Sequence, residues 1–202
     1  MLNYLKLKWQ QKLLRDRGYI LVKNFLSEDV IRLYKSFCDI SYGANLRTHE
    51  TSDYLVGDIH SISKNPFDDS VLLAYQPLAE KYFQRKMIPS YIFTREYFDG
   101  SYLKIHNDRP QCQYSISITV HKDPSVKSSL IFYDDEEGNN PVQIDMEEGD
   151  AIFFNGSLTY NGRWHSRPMV EGGSVVTSFL HYVDIDNTES AQEPFPMPGY
   201  RK

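Results

Sequence analysis

Residues 97–108 read YFDGSYLKIHND, a strand-like alternation that passes a glycine and ends with a histidine and an aspartate two residues apart. Side chains at positions i and i+2 of a strand point to the same side. His106 and Asp108 can therefore direct two metal ligands into one space. A second His-x-Asp triplet, at 121–123, is followed at once by Pro124 and is interpreted as a strand end with a solvated turn.

The composition predicts a single globular domain spanning residues 1–202. Hydrophobic residues make up 41% of the chain and charged residues 24%, both ordinary values for such a domain. The net charge of −5, with no long basic run, argues against nucleic-acid binding. Aromatic residues reach 14%, which favours a strand-rich interior or an aromatic-lined pocket.

The number of cysteines and the hydropathy of the sequence indicate the cellular compartment in which the chain is expected. Cys38 and Cys112 are the only two cysteines, too few for a disulfide framework or a multi-cysteine zinc site. No stretch approaches the roughly 20 apolar residues that cross a bilayer. We therefore expect a cytoplasmic protein without a membrane segment.

Sequence periodicity divides the chain into a helical part and a strand-rich part. Residues 1–87 contain three amphipathic stretches, predicted as helical support, and residues 88–184 contain about eight short β-branched and aromatic segments separated by turns. This order predicts a mainly β protein whose closed or double-sheet core carries helices on one side. The polar segment 43–69 is a candidate lid, and residues 185–202 are predicted to be a loosely held tail.

A useful metal site needs a third ligand. His165 follows a Gly-Asp turn and an apolar run, 57 residues after Asp108, and can return to the same end of a barrel. His181 is a rival, but its mid-strand position favours a hydrogen-bonded structural histidine. Two imidazoles and one carboxylate leave adjacent coordination positions open, as in non-haem Fe(II) oxygenases, while zinc is the main competitor for the same donors.

The segment 97–108, the stretch EEGDAIFF at 147–154 and His165 together resemble the prolyl-hydroxylase-like branch of the Fe(II)/2-oxoglutarate-dependent dioxygenases. The resemblance implies a double-stranded β-helix, also called a jelly-roll or cupin-like fold. It implies that His106, Asp108 and His165 hold Fe(II), with 2-oxoglutarate as co-substrate. It also implies that O2 is used to hydroxylate a small molecule or an amino-acid or peptidyl substrate, with release of succinate and CO2.

The chain departs from that family at the residue that binds the distal carboxylate of 2-oxoglutarate. The family usually has Arg or Lys nine or ten residues past the distal histidine, where this chain has Ser174 and Val175. Arg167, two residues beyond His165, is predicted to point into the barrel and to clamp that carboxylate with its planar fork. Ser174 is expected to add a hydroxyl hydrogen bond, and Tyr97 to line the pocket.

Other residues near the ligands have competing structural interpretations. Lys104 shares strand parity with His106 and is a candidate for the pocket wall, as is His121, although a solvated surface position fits both. Arg109 and Trp164 flank ligands and are candidates for substrate contact or scaffolding.

Two alternative functions remain open at the level of sequence. One is a cupin-type metalloenzyme or metal-binding barrel that does not use 2-oxoglutarate, and the missing basic residue at 174 or 175 favours it. The other is a non-catalytic binding module with an incidental ligand triad. The sequence predicts neither the individual substrate nor the oligomeric state.

Overall fold

The computed structural model describes residues 2–158 and 162–186, which form three α-helices and twelve β-strands arranged in three layers. The helices are α1 Leu2–Arg17, α2 Glu28–Gly43 and α3 Pro66–Phe83. The strands are β1 Tyr19–Val22, β2 Thr48–His49, β3 Leu55–Val56, β4 Ile59–Ser63, β5 Met87–Tyr97, β6 Tyr102–His106, β7 Tyr114–Lys122, β8 Ser128–Tyr133, β9 Val142–Met146, β10 Ala151–Asn155, β11 Trp164–Arg167 and β12 Val175–Asp184.

The strands form two antiparallel sheets. The larger sheet has the order β1-β10-β7-β12-β5-β4-β2, and the smaller has the order β3-β6-β11-β8-β9. Consecutive strands often lie in different sheets, so the chain crosses repeatedly between the two layers, as it does in a jelly roll. The predicted fold class, mainly β with flanking helices around a double-stranded β-helix, is confirmed.

The alternation within β7 gives the larger sheet two different faces. Ile116, Ile118 and Val120 are fully buried in the core that the sheet shares with the helices. Their neighbours Ser115 and Thr119 face the smaller sheet, where the Thr119 hydroxyl lies 2.8 Å from that of Ser128 on β8. The alternation in the sequence QYSISITVH, with apolar side chains on one face and small polar side chains on the other, predicts such a polar face, and it lines the space between the sheets.

The helices begin at side-chain caps. The Ser27 side chain accepts a hydrogen bond from the Val30 N–H at the start of α2, as the sequence predicts. Helix α3 starts four residues earlier than the run SVLLAYQPLAEKYFQRK suggests, because Asn65 caps it and Pro66 fits its first turn. A proline within a helical pattern predicts a kink or a late helix start, and Pro77 lies inside this helix, which starts early instead.

The segment 43–69 differs from its expected form as a long irregular lid. It contains β2, β3 and β4; β4 pairs with β5 in the larger sheet, and β3 pairs with β6 in the smaller one. The part predicted as helical support, residues 1–87, contains four strands in all, of which β1 at Tyr19–Val22 falls on the stretch YILVKNF, which the sequence pattern predicts as a short strand. Residues 187–202 of the expected tail lie outside the described residues, and no described helix is long and apolar enough to cross a membrane.

Candidate metal centre

Strand pairing between β6 and β11 brings two histidines opposite each other. His165 pairs with His106, and Arg167 pairs with Leu103, so four residues of β6 lie opposite three residues of β11. The extra residue is a β-bulge, which changes the direction of the side chains on one strand. Both imidazoles therefore point into the space between the sheets, with ring centroids 4.3 Å apart.

Asp108 completes a compact set of donors with these imidazoles. Its Oδ1 lies 3.6 Å from His106 Nε2 and 3.8 Å from His165 Nε2. Two donor atoms that are each about 2.1 Å from one ion can be at most about 4.2 Å apart. Both carboxylate–imidazole distances meet this limit, and the donor atoms of the three predicted ligands all lie within 4.8 Å of one another, around one common space.

The backbone beyond β10 fixes the position of Asp108. Its N–H donates to the Gly156 carbonyl at 3.0 Å, and a short parallel bridge joins Asp108 to Ser157. A Cβ added to Gly156 would lie 2.3 Å from Asp108 Oδ2, so only glycine permits this approach. The Ser115 hydroxyl donates to the same oxygen at 3.3 Å.

Backbone carbonyls set the orientation of both imidazoles. His106 Nδ1 lies 3.0 Å from the Lys104 carbonyl, and His165 Nδ1 lies 3.0 Å from the Arg163 carbonyl. Because a carbonyl only accepts, each Nδ1 carries the proton and each Nε2 keeps its lone pair. This is the tautomer that a metal requires from a histidine bound through Nε2.

The ionisation states also suit metal binding. Burial opposes ionisation of Asp108, but the neighbouring imidazoles of His165 and His106 outweigh it and hold the pKa of its carboxyl well below the usual value. Burial, together with the ring of His106, lowers the pKa of His165 to about 4. At neutral pH the site therefore offers a carboxylate and a neutral His165.

His181 lies behind the triad and supports it. Its Nδ1 is 2.9 Å from the Ser115 hydroxyl that donates to Asp108, and its ring lies 4.6 Å from the ring of Tyr91. Burial lowers the pKa of His181 to about 4, and its Nε2 has no hydrogen-bond partner among the described residues. With Asp108 and Cys112 it forms a second, overlapping group of possible metal donors. The sequence interpretation of His181 as a structural barrel histidine fits its contact with Ser115.

Arg167 is a buried cation between the sheets. Its side chain is only 2% exposed, and within residues 2–158 and 162–186 it has no acidic partner. The Arg167 Nη1 donates to the Ser128 hydroxyl at 3.4 Å, and Nη2 donates to the Thr177 hydroxyl at 3.1 Å. Its Nε has no partner in the described part of the chain. Burial lowers the pKa of Arg167, yet an arginine in a protein stays charged. A buried cation whose hydrogen bonds go only to two hydroxyls among the described residues is suited to bind an anion.

Tyr97 lies directly beside this cation. It is fully buried, and the Arg167 guanidinium carbon lies 4.8 Å from the centre of its ring, in a cation–π contact. Tyr97 thus lines the space around Arg167, and its role in a 2-oxoglutarate pocket stays a prediction.

Ser174 and His121 are not brought to the triad. Ser174 lines a cavity of about 290 Å³ between α2 and the helix-facing side of the larger sheet, together with His121 and Val176. Its N–H donates to the Asp123 carboxylate at 2.7 Å. Thr177, on the opposite face of β12, is the hydroxyl that reaches Arg167. The expected roles of Ser174 beside 2-oxoglutarate and of His121 in the pocket wall are therefore corrected.

The three remaining residues that flank the ligands in the sequence lie on the surface or pack on neighbouring side chains and strands. Lys104 is exposed and donates to the Asp53 carbonyl at 3.0 Å, because the bulge in β6 breaks its parity with His106. Arg109 lies over the Tyr91 ring and donates to its hydroxyl at 3.2 Å. Trp164 pairs with Tyr133 on the neighbouring strand.

Sequence reasoning missed three contributors to the site. Gly156 belongs to an Asn-Gly pair, which is a turn signal, and Ser115 lies on the predicted polar face of β7; both could have been recognised. The ring of Tyr54, 5.6 Å from the ring of His106, follows no pattern in the sequence. It belongs to the segment before β3 and borders the metal ligands.

Taken together, the donors fit a divalent first-row metal such as Fe(II). Two neutral imidazoles and a carboxylate bind one side of an ion and leave the other positions for exogenous ligands. The unpaired Arg167 guanidinium, two residues from His165 along β11, adds a place for an acidic ligand in the same space.

Comparisons with known proteins agree with this architecture. No protein-family model and no curated protein sequence matches this chain. A prolyl hydroxylase from Trichoplax adhaerens, solved with a hypoxia inducible factor peptide fragment, aligns over 95% of this chain and 94% of its own, at 12% identity and a TM-score of 0.73.

Two further solved structures have similar folds. An oxidoreductase of the 2OG-Fe(II) oxygenase family from Burkholderia pseudomallei aligns over 88% of this chain and 90% of its own, at 12% identity and a TM-score of 0.68. The epimerase SnoN, in complex with Fe3+, alpha ketoglutarate and nogalamycin RO, aligns over 98% and 92%, at 13% identity and a TM-score of 0.71. The chain therefore has the fold of the 2-oxoglutarate- and iron-dependent oxygenases.

The first prediction concerns metal binding. We expect anaerobic titration with Fe(II) to show one bound ion per chain, and His106→Ala to lose that binding, because the remaining two donors hold an ion weakly. His121→Ala is the matched control from the second His-x-Asp triplet, and it should bind as the unsubstituted chain does. Equal binding by the His106→Ala variant would contradict the site.

The second prediction concerns the stability of the metal-free protein. His165 and His181 have pKa values of about 4 in the fold and about 6.5 when unfolded, so between these values the unfolded chain binds more protons. The free energy of unfolding should therefore fall as the pH is lowered from about 6.5 to 4, by up to roughly 3 kcal/mol for each imidazole. Urea unfolding in the presence of a chelator measures this slope.

Two variants test whether buried histidines such as His181 cause this dependence of the unfolding free energy on pH. His181→Gln should flatten it, whereas the same change at His49, whose side chain is 53% exposed, should leave it unchanged. A slope that does not differ among the three proteins would mean that other groups produce it.

Proposed function

We propose that residues 1–202 form a single domain that acts as an Fe(II)- and 2-oxoglutarate-dependent oxygenase. It would hydroxylate a small molecule or an amino-acid or peptidyl substrate. In this reaction a substrate C–H, 2-oxoglutarate and O2 become C–OH, succinate and CO2. Iron with 2-oxoglutarate, when bound, supplies the oxidising chemistry; the protein supplies positions, charges and protection from water.

The observation that carries the proposal is the uncompensated charge of Arg167. A buried guanidinium without a carboxylate partner is costly, and a chain that bound only a metal would not need it. His165 and Arg167 are two residues apart on β11, hence about 7 Å apart along the strand. That separation suits a short diacid with one end at the metal and the other at the guanidinium.

The roles of the chain's own residues follow from these contacts. His106, Asp108 and His165 would hold the ion, and the carbonyls of Lys104 and Arg163 keep both imidazoles in the tautomer that binds it. Arg167 would bind the distal carboxylate of 2-oxoglutarate through two parallel hydrogen bonds.

Two further contacts prepare the pocket for the diacid. The hydroxyls of Ser128 and Thr177 already hold the Arg167 fork in place. The buried ring of Tyr97 excludes water from one face of the guanidinium, which strengthens its attraction for a carboxylate.

The setting of the enzyme is also part of the proposal. Cys38 and Cys112 are both free and buried, which suits the reducing cytoplasm. The acidic net charge of −5 favours a small-molecule or peptidyl substrate over a nucleic acid.

The third prediction tests the reaction. The Fe(II)-loaded protein, given 2-oxoglutarate and air with a panel of metabolites and peptides, should form succinate and add 16 Da to one substrate, the mass of the inserted oxygen. Asp108→Ala should reduce succinate formation at least about a hundredfold, because the metal loses its only carboxylate ligand. Asp123→Ala, from the second His-x-Asp triplet, is the matched control and should retain turnover. Undiminished activity in the Asp108→Ala variant, or no 2-oxoglutarate consumption by the unsubstituted protein, would sink the proposal and favour a cupin-type metalloenzyme.

The fourth prediction isolates Arg167. In Arg167→Met the affinity for 2-oxoglutarate should fall at least about tenfold, since a charge-assisted bond is lost, while the Fe(II) stoichiometry stays the same. Without 2-oxoglutarate this variant should melt no earlier than the unsubstituted protein, because an unpaired buried cation has been removed. Calorimetric titration and thermal melting measure the two effects, and Lys104→Met is the control for a surface cation. An unchanged 2-oxoglutarate affinity would assign the carboxylate to another residue.

A further inference from the structure

The inner face of β5 carries a row of side chains that leads from His181, behind the metal triad, toward Arg167. Alternate residues Phe93, Arg95 and Tyr97 form part of this row. Phe93 stacks on the His181 ring at 5.7 Å, and Tyr97 lies beneath Arg167 at 4.8 Å. Arg95 therefore lies between the two ends of the candidate site, and none of the roles proposed above uses it.

Arg95 is a second, mostly buried guanidinium in this interior. Its side chain is 14% exposed. Its Nε donates a hydrogen bond to the Ser61 hydroxyl, and its Nη1 donates one to the Tyr97 hydroxyl, each at 3.3 Å. The guanidinium carbon lies 4.7 Å from the centre of the Phe93 ring. These contacts hold the group in one orientation without neutralising it.

Glu50 is the only acidic group that forms an ion pair with Arg95 among the described residues, and the contact is long. The Glu50 Oε2 lies 3.7 Å from the Arg95 Nη2, which is beyond hydrogen-bond distance, and the Glu50 side chain is 33% exposed. A good bidentate pair would be about 2.8 Å apart. At this separation the two partly buried charges attract each other, but the guanidinium N–H groups of Arg95 make no hydrogen bond to the Glu50 carboxylate.

The segment that carries Glu50 also borders the metal centre. The Glu50 N–H donates to the Ile59 carbonyl at 2.8 Å, which ties the segment to β4. Four residues later the Tyr54 ring reaches the His106 ring at 5.6 Å, and Leu55 packs in the cluster that contains Phe93 and Phe179. Residues 50–55 thus connect the Arg95–Glu50 pair to a ligand of the triad along one side of the site.

On the premise of the proposed function, we infer that the substrate is a free α-amino acid with an apolar side chain. Its α-carboxylate binds Arg95 and its α-ammonium binds Glu50, which completes the hydrogen bonds that the 3.7 Å contact leaves unmade. The apolar side chain of the amino acid lies along an aromatic wall formed by Phe93 and Phe179, whose rings are 4.9 Å apart. This wall continues to His181, near the metal ligands. A zwitterion matches this pair of opposite charges, whereas a carboxylic acid alone would leave Glu50 unpaired.

Binding without turnover tests the inference. The Fe(II) protein is titrated anaerobically, with and without 2-oxoglutarate, with each of the twenty standard L-amino acids. The tightest binder is then compared with its N-acetyl derivative and with the acid that lacks its amino group. We expect an apolar amino acid to bind, and both analogues to bind at least about tenfold more weakly, because each removes the ammonium group that Glu50 recognises.

Two substitutions separate the charges. Glu50→Gln should weaken binding of the amino acid about tenfold or more and leave the deaminated acid unaffected. Arg95→Met should weaken binding of both compounds and leave the affinity for 2-oxoglutarate unchanged; Arg95→Lys, which keeps the charge but loses the fork, should have an intermediate effect. Arg47→Met is the control, since Arg47 pairs with Glu96 on the other face of the sheet.

The outcomes distinguish this inference from the proposed function. If 2-oxoglutarate binds and forms succinate slowly without substrate but no amino acid binds, the inference is wrong and the oxygenase proposal stands. If 2-oxoglutarate does not bind, the oxygenase proposal fails, and the titrations without 2-oxoglutarate still decide whether an amino acid binds. Equal affinity for the N-acetyl derivative would indicate a peptidyl substrate and overturn the inference. Loss of 2-oxoglutarate affinity alone in Arg95→Met would assign Arg95 to the co-substrate and overturn it too.

Discussion

The pairing of β6 with β11 is the constraint on which the candidate site depends. It brings His106 opposite His165, and a bulge of one residue lets Leu103 and His106, three positions apart, match Arg167 and His165, two positions apart. Without the bulge, one of these side chains would lie on the outer surface of the smaller sheet. A single irregularity in the ladder thus sets both the metal donors and the cation next to them.

The larger sheet makes this arrangement rigid. Its outer face is apolar and is covered by the three helices, whereas its inner face carries small hydroxyl side chains. Ser115 uses one of these hydroxyls to hold Asp108, and Thr177 uses another to hold Arg167. The same strands therefore build the core on one side and satisfy buried polar groups on the other, which keeps the site in one geometry.

Much of this organisation follows from the sequence, and the exceptions have physical reasons. The spacing of His106 and Asp108 and the alternation of apolar and small polar side chains along β7 are local patterns, and the structure agrees with them. The predicted order of helices before strands holds only in part, because β1 to β4 lie among the three helices. Strands β2 and β3 are two residues long, too short for periodicity to appear, so the sequence pattern predicts an irregular segment around them. The surface position of Lys104 depends on a bulge that only strand pairing reveals. Ser174 was misassigned because the face of β12 on which a residue lies depends on its register with β5 and β7.

The solitary charge of Arg167 links the lifetime of the molecule to its supply of ligand. In the described part of the chain this interior cation has hydroxyl and aromatic neighbours but no carboxylate, which makes the empty barrel less stable than one in which an anion neutralises the charge. Any diacid that occupies this place stabilises the native state in proportion to the logarithm of its concentration. In a cell, proteases that act on transiently opened chains would then remove the protein faster when such a ligand is scarce, so the amount of the protein would follow the concentration of the ligand.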